Sequence, residues 1–374
     1  MTLRRPAEVF PPGEFLREEL EERGWTQTDL AEILDRPVRV VNEIIAAKRR
    51  ISPDTAKGLG AAFGTPAEFW LNLESAYQLW RVRNDDDDGV ARRARLFTIA
   101  PLKEMFRRGW IEASDNIEVL EKRVEDFFEV ANLDTEPEFT AYAARKSTGY
   151  TSTTPAQKAW LFRARKLARA VYAKAFTRSG IDDALGQLRL LLQSPQEVRH
   201  VPRILSEAGI RFVIVEALPG TRIDGASFWQ DESPVIALSL RFDRIDCFWH
   251  TLMHEIGHVH FGHAYSLDLD LETDQPGAEK PEGERLADDF AIEQLVQKQK
   301  LDSFIARVRP LYSSLRVEGF AKTCKVHPGI VVGQLQHRGE LAWANLRKML
   351  VPVRTIISEA ALTDGWGVSL PAQL

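Results

Sequence analysis

The chain has 374 residues, with 49 basic and 54 acidic side chains, a formal charge of −5 and 44% hydrophobic residues. This is ordinary globular composition, which excludes a disordered, collagen-like or low-complexity chain. It also excludes a polycation that coats nucleic acid by overall charge, so any DNA binding must come from a local patch. The length suits two or three domains. Cys247 and Cys324 are too few for a disulfide framework. The stretch Met1 to Phe15 has no secretory apolar run, and no segment approaches the ~18 apolar residues of a membrane span. The expectation is a cytoplasmic protein without a membrane partner.

In chain order, the first elements are short helices. Glu14 to Glu22 is amphipathic, and Thr26 is placed to cap a helix from Gln27 to Leu34. Asp35-Arg36-Pro37 breaks the pattern before a third helix, Val38 to Ala47. Ser52-Pro53 starts a fourth, and Pro66 to Trp80 makes a fifth. Ala31 takes the tight interhelix position, and Val38, Val41, Ile44 and Ile45 face inward. Arg39, Val40, Asn42 and Glu43 then point outward. As a recognition helix, the third would present Arg39 to guanine and Asn42 to adenine, with Gln27, Lys48, Arg49 and Arg50 on phosphates. Residues 1–80 hold ten basic and thirteen acidic groups, but Arg36, Arg39, Lys48, Arg49 and Arg50 cluster around that helix. The alternative is a five-helix packing module for protein contacts.

Asn84 to Gly89, NDDDDG, reads as a linker. Residues 96–195 are mainly helical in period. Within them, 112–138 carries ten acidic and two basic residues, whereas 158–178 carries seven basic residues and no acidic ones. The basic stretch either touches nucleic acid or, as we favour, lies against the acidic one. IRFVIVE (210–216), RIDGASFWQ (222–230) and SPVIALSL (233–240) then read as a small antiparallel sheet, one exposed edge of which could present a peptide.

A helix from Phe248 to about Gly262 carries His254-Glu255-Ile256-Gly257-His258, an H-E-x-x-H motif. Spacing of four puts both imidazoles on one helix face, fit to bind one Zn²⁺, with Glu255 beside them as general base. A catalytic zinc takes a third protein ligand. The spacing of a third histidine in the H-E-x-x-H-x-x-G-x-x-H pattern fails, because Phe261 and Ala264 stand where glycine and histidine are needed. His260 and His263 point away on a continued helix, and His250 reads as a core or edge histidine. Glu284 is the best candidate, with Asp288 four residues on to fix the tautomer of a liganding histidine; otherwise Glu284 is a solvated first-turn glutamate. His327, before Pro328, is a candidate oxyanion partner or merely a turn residue. A polar loop, 266–283, separates the two motif helices, and the last 75 residues read as helical pieces broken at Pro310, Pro328 and Pro352.

FWHTLMHEIGHVHFG followed by ERLADDFA resembles the ImmA/IrrE family of metallopeptidases, and VHPGIVVGQLQH (326–337) resembles segments of its helix-turn-helix fusion members. The resemblance spans about 200–340 and implies that Glu284 is the third zinc ligand. It also implies limited cleavage of a repressor or antitoxin under stress or phage challenge. His250 and Leu286 depart from the pattern. The stretch 9–80, ending ISPDTAKGLGAAFGTPAEFWLNLESAYQLW, is similar to XRE-class regulators and more closely to HigA-type antitoxins. That implies double-stranded operator DNA as partner and, by analogy, a homodimer. The expected fold is mostly α with a small antiparallel sheet (α+β). It comprises a helix-turn-helix domain at 1–83, a helical spacer at 84–200 and a zincin-like domain at 201–374. The alternative function is a non-proteolytic HigA-like regulator whose second domain binds a ligand or a toxin partner.

Overall fold

The computed structural model describes residues 9–81, 86–134, 137, 139, 154–263, 265–269 and 281–365. It forms two compact units, Met1–Ala91 and Arg92–Leu374.

The first unit is built from α1 (Pro12–Arg23), α2 (Gln27–Ile33), α3 (Val38–Ile45), α4 (Pro53–Phe63) and α5 (Ala67–Arg81). Local chemistry sets the boundaries. Thr26 and Asp29 make a reciprocal capping box, with Thr26 Oγ1 accepting from the Asp29 N–H at 3.1 Å and Asp29 Oδ2 from the Thr26 N–H at 2.7 Å. Ser52 caps α4 ahead of Pro53. Leu16, Leu20, Leu30, Ala31, Val41, Ile44, Leu59 and Trp70 form the core. Gly13 lets α1 press onto the end of α3, since a Cβ there would lie 2.5 Å from the Ile45 carbonyl oxygen. Glu74 is buried on α5 and accepts the Ile51 N–H at 3.0 Å, satisfying the loop between α3 and α4.

Of the expected linker, residues 84 and 85 lie outside the described residues, and 86–89 open α6 (Asp86–Ile99). Then come α7 (Leu102–Arg107), α8 (Ile117–Phe128), α9 (Pro155–Ala168), α10 (Arg178–Leu191) and α11 (Val201–Glu207). The sheet strands are β1 (Arg211–Val215), β2 (Ile223–Gln230), β3 (Ser233–Leu238), β4 (Tyr265–Leu269) and β5 (Leu362–Asp364). Helices α12 (Ile245–Phe261), α13 (Glu282–Leu295), α14 (Lys298–Val308), α15 (Ser314–Cys324), α16 (Pro328–His337) and α17 (Arg354–Ala360) complete the unit.

The sheet is mixed rather than antiparallel, in the order β4-β2-β3-β1-β5. β2 pairs antiparallel with β3 and β4, but β1 pairs parallel with β3 and β5. The segment after β1, expected to turn back as a hairpin, instead carries the chain past β3's position before β2 begins. Consequently, among the described residues, none of the strands within 210–240 is a sheet edge; β4 and β5 are, and β4 occupies part of the expected loop at 266–283. Both faces are covered. Phe212, Ile214, Ile236 and Leu238 join the core formed with α10 to α16, whereas Val213, Val215, Val235 and Ala237 join that of α6 to α9. Burial on both sides is why these strands read as nearly continuous apolar runs.

The middle region is therefore not a spacer: α6 to α9 form the layer over one sheet face, and α10 packs on the other. Trp160 Nε1 donates to the Val215 carbonyl at 2.8 Å, and the Arg108 guanidinium donates to the carbonyls of Glu216 and Ala217 at 2.7 and 2.9 Å. Buried Arg163 pairs with buried Asp364, which also accepts from Trp110 Nε1 at 2.7 Å, tying α9 to the last strand. The basic helix lies against the acidic segment: Arg165 and Arg169 pair with Glu129, and Lys166 Nζ donates to the Asp126 carbonyl.

Candidate functional site

Two sets of side chains carry chemistry, one in each unit. In the first, α2 and α3 meet at a tight turn in which Asp35 takes a positive φ of 50° and the Arg36 N–H reaches the Ala31 carbonyl at 2.9 Å. Val41, Ile44 and Ile45 are buried, while Arg39 and Asn42 are exposed; Val38 is only half-buried. Gln27, Lys48, Arg49 and Arg50 are exposed too, so the expected DNA-facing residues other than half-buried Arg36 are all accessible. Three of the five bases are already engaged within the unit, however. Glu43 accepts from Arg39 Nε at 2.7 Å and from Arg49 Nε at 2.8 Å, and Arg36 pairs with Asp54. Hydrogen bonds from Arg49 and Arg39 hold the Glu43 carboxyl below its ordinary value. Glu43, expected only to point outward, is thus the acid that gathers two of the five bases.

In the second unit, α12 places His254 and His258 one turn apart, and both rings are buried. The partner helix α13 comes close because Gly257 faces Ala287 and Phe290, where a Cβ would lie 3.1 Å from the Phe290 ring. Ala287 and Ala291 are fully buried along the same face. Their spacing turns Glu284 and Asp288 toward α12. His254 Nε2 lies 3.2 Å and His258 Nε2 3.5 Å from Glu284 Oε2, and the two Nε2 atoms are 3.0 Å apart. All three ligand atoms fall within 4.8 Å of one another. Zinc bonds of about 2.0–2.2 Å at tetrahedral angles would separate such donors by about 3.3 Å, so two imidazoles and a carboxylate at these distances fit one Zn²⁺. His254 Nδ1 lies 2.9 Å from Asp288 Oδ1. Burial pushes the His258 imidazole below its ordinary value despite the opposing pull of Glu284, which favours the neutral, metal-binding form.

Glu255 is fully buried beside the cluster. Its carboxylate lies against β2 at Gly225, where a Cβ would sit 2.8 Å from Oε1. The glycine thus leaves the space that the carboxylate uses. His250 stacks at 6.3 Å from His254 and lies 5.9 Å from His337. Leu286 is exposed on α13. His260 packs on Phe290, away from the cluster as expected.

Two expectations are corrected. His327 is the N-cap of α16, its Nδ1 accepting the Gly329 N–H at 3.1 Å, and residues beside it pack against Ile245 at the start of α12, far from His254 along the helix. A histidine ahead of proline has served the helix end, not the cluster. His263, read as pointing away, has its Nδ1 2.8 Å from His258 Nδ1. The helical extrapolation fails because α12 stops at Phe261 and Gly262 turns left-handed. That glycine was the available signal. Among the described residues, no helix is long and apolar enough to cross a membrane.

Residues 16–70 match a helix-turn-helix family model. Antitoxin HigA-1 of Vibrio cholerae is 40% identical over 84 residues, which cover 22% of this chain and 76% of that protein. A helix-turn-helix transcriptional regulator of Haemophilus influenzae is 37% identical over 86 residues, covering 23% and 78%. A solved structure of the Pseudomonas aeruginosa antitoxin HigA with the higBA promoter is 37% identical and covers 22% of this chain and 91% of that one, with a TM-score of 0.21. Through these residues of its first unit, the chain belongs to the XRE-type helix-turn-helix family, with HigA-like antitoxins among its relatives.

Proposed function

We propose that the chain is an operator-binding transcriptional regulator whose second unit is a zinc-dependent peptidase acting on a repressor or antitoxin-type protein. The DNA-binding half follows from the family and from the exposed bases around α3. The observation that carries the peptidase half is the convergence of His254, His258 and Glu284 within 4.8 Å of one another. Buried Glu255 beside them is what separates a hydrolytic site from a structural one, which needs no such base.

In this reading His254, His258 and Glu284 hold the metal, and Asp288 keeps His254 in the tautomer whose Nε2 lone pair is available. Bound Zn²⁺ supplies Lewis acidity toward water and the scissile carbonyl. Glu255 takes the proton from the attacking water and passes it to the departing amine nitrogen. Its buried carboxylate occupies the space that Gly225 leaves on β2.

The test is incubation of the full chain with Zn²⁺ and the repressor or toxin–antitoxin pair encoded beside its gene. Glu255→Gln is expected to bind zinc and not cleave; equal cleavage by that variant sinks the general-base role. His254→Ala and Glu284→Ala are expected to weaken zinc binding. DNA binding is tested by gel shift on the upstream promoter at fixed salt. Arg39→Ala and Arg50→Ala are expected to weaken it, and wild-type affinity in both rejects this docking. Two copies on a two-fold operator are expected, measurable by light scattering of the complex.

A second reading is a non-proteolytic HigA-like regulator whose second unit only binds a ligand or partner. It is supported by the relatives of the first unit, which carry the names of antitoxins and transcriptional regulators. Zinc-dependent cleavage lost in Glu255→Gln separates the two.

A further inference from the structure

The end of α12 is closed in a specific way. Gly262 adopts φ 74°, ψ 29°, its N–H reaches the Val259 carbonyl at 3.1 Å, and the His263 N–H reaches the His258 carbonyl at 2.9 Å. These are the two hydrogen bonds of a Schellman motif, with glycine in the left-handed position. The motif folds the residue after the glycine back over the one five positions earlier, where an apolar pair usually makes contact. Here that pair is His263 and His258, with Nδ1 atoms 2.8 Å apart.

His263 also meets β2 and α13. Trp229 Nε1 on β2 donates to its carbonyl oxygen at 3.3 Å. Its ring lies over Gly283 in the first turn of α13, where a Cβ would be 3.2 Å from Cε1. A neutral imidazole has one N–H and one acceptor nitrogen. If His258 offers its Nε2 lone pair to a metal, its proton must sit on Nδ1 and needs an acceptor. The group in reach is His263 Nδ1.

We infer that His263 is a positioning residue of the metal site, accepting the Nδ1–H of His258 and so fixing that ligand's ring and tautomer, as Asp288 does for His254. This rests on the reading of His254, His258 and Glu284 as metal ligands. The two histidine ligands then have unlike supports: a carboxylate behind His254 and a neutral imidazole behind His258. His263 itself carries its proton on Nε2.

The test is zinc titration of the full chain against a chromophoric chelator, for wild type, His263→Phe, His263→Gln and His254→Ala. Loss of an outer partner of this kind lowers metal affinity by about 10–100-fold. His263→Phe, which keeps the ring packing but has no acceptor, is expected to show that loss. His263→Gln, which restores an acceptor oxygen, is expected to recover part of it. Wild-type zinc affinity in His263→Phe overturns the inference alone; a wild type that binds no zinc overturns the metal reading with it. A second measurement needs no variant. In ¹⁵N-resolved spectra of the zinc-loaded protein, His258 is expected protonated at Nδ1 and His263 at Nε2, and the opposite tautomer at His263 rejects the assignment.

Discussion

The two units hold their charged groups in opposite ways. Around α3, the pairs Arg39–Glu43, Arg49–Glu43 and Arg36–Asp54 lie at the surface, with Arg39 87% exposed. Such pairs contribute little to stability and exchange readily with water or with phosphate. In the second unit the groups of the candidate metal site and of the last strand are buried and each meets fixed neighbours: His254 meets Asp288, His258 meets His263, and Asp364 meets Arg163 and Trp110. Leaving one of those unpaired costs far more, because water cannot replace the lost partner. A face that meets a polyanion benefits from exchangeable pairs. A site of the proposed kind, which holds a metal and moves a proton, benefits from rigid ones.

The strongest way to break this contrast is Asp364→Ala. It leaves the Arg163 guanidinium buried without its carboxylate and is expected to destabilise the second unit by about 3–5 kcal/mol, read by urea unfolding. A loss below about 1 kcal/mol would mean the buried pair does not anchor the last strand. Gly225→Ala sets a Cβ 2.8 Å from Glu255 Oε1. On the proposed peptidase reading, displacing that carboxylate by about 1 Å is expected to lower zinc-dependent hydrolysis about 100-fold while zinc affinity holds; a matching fall in zinc affinity would show that the substitution disturbs the proposed ligands as well. Glu74→Ala removes the acceptor of the Ile51 N–H and is expected to cost the first unit about 1–3 kcal/mol, seen as a lower denaturation midpoint.

Glu129 tests the same contrast through pH. Partial burial raises its carboxyl, but Arg169 and Arg165 outweigh this and hold it below its ordinary 4.5. Its contribution is therefore complete above that value and is lost as pH falls through the lower folded-state value. Glu129→Gln is expected to flatten the acid side of the second unit's stability profile; an unchanged profile removes Glu129 from that role. The smallest stability effect is expected for Glu43→Gln, because water screens its ion pairs. The same change releases Arg39 and Arg49 and removes a negative charge, so operator affinity is expected to rise in a gel shift at low salt. A fall would mean that Glu43 orders those arginines for binding.

What could be read in the sequence follows the same division. Thr26 and Asp29, Ser52 with Pro53, and the apolar spacing of α3 act within one or two helical turns, so the five helices of the first unit were legible nearly to their ends. The H-E-x-x-H ligands share one helix, and Glu284 lies at the start of a recognisable one. The middle region was not legible, because nothing local in Trp160 or Arg163 says that their partners are Val215 and Asp364, 55 and 201 residues away. The parallel pairing of β1 with β3 is equally invisible in strands that are apolar on both faces. His263 lay between these cases: its contact is local, but only the left-handed turn at Gly262 brings it back over His258. The sequence by itself determined which residues are candidates for the chemistry, since side-chain type and helical period are local properties. Tertiary structure decided which of them meet, because buried pairing depends on elements brought together from distant parts of the chain.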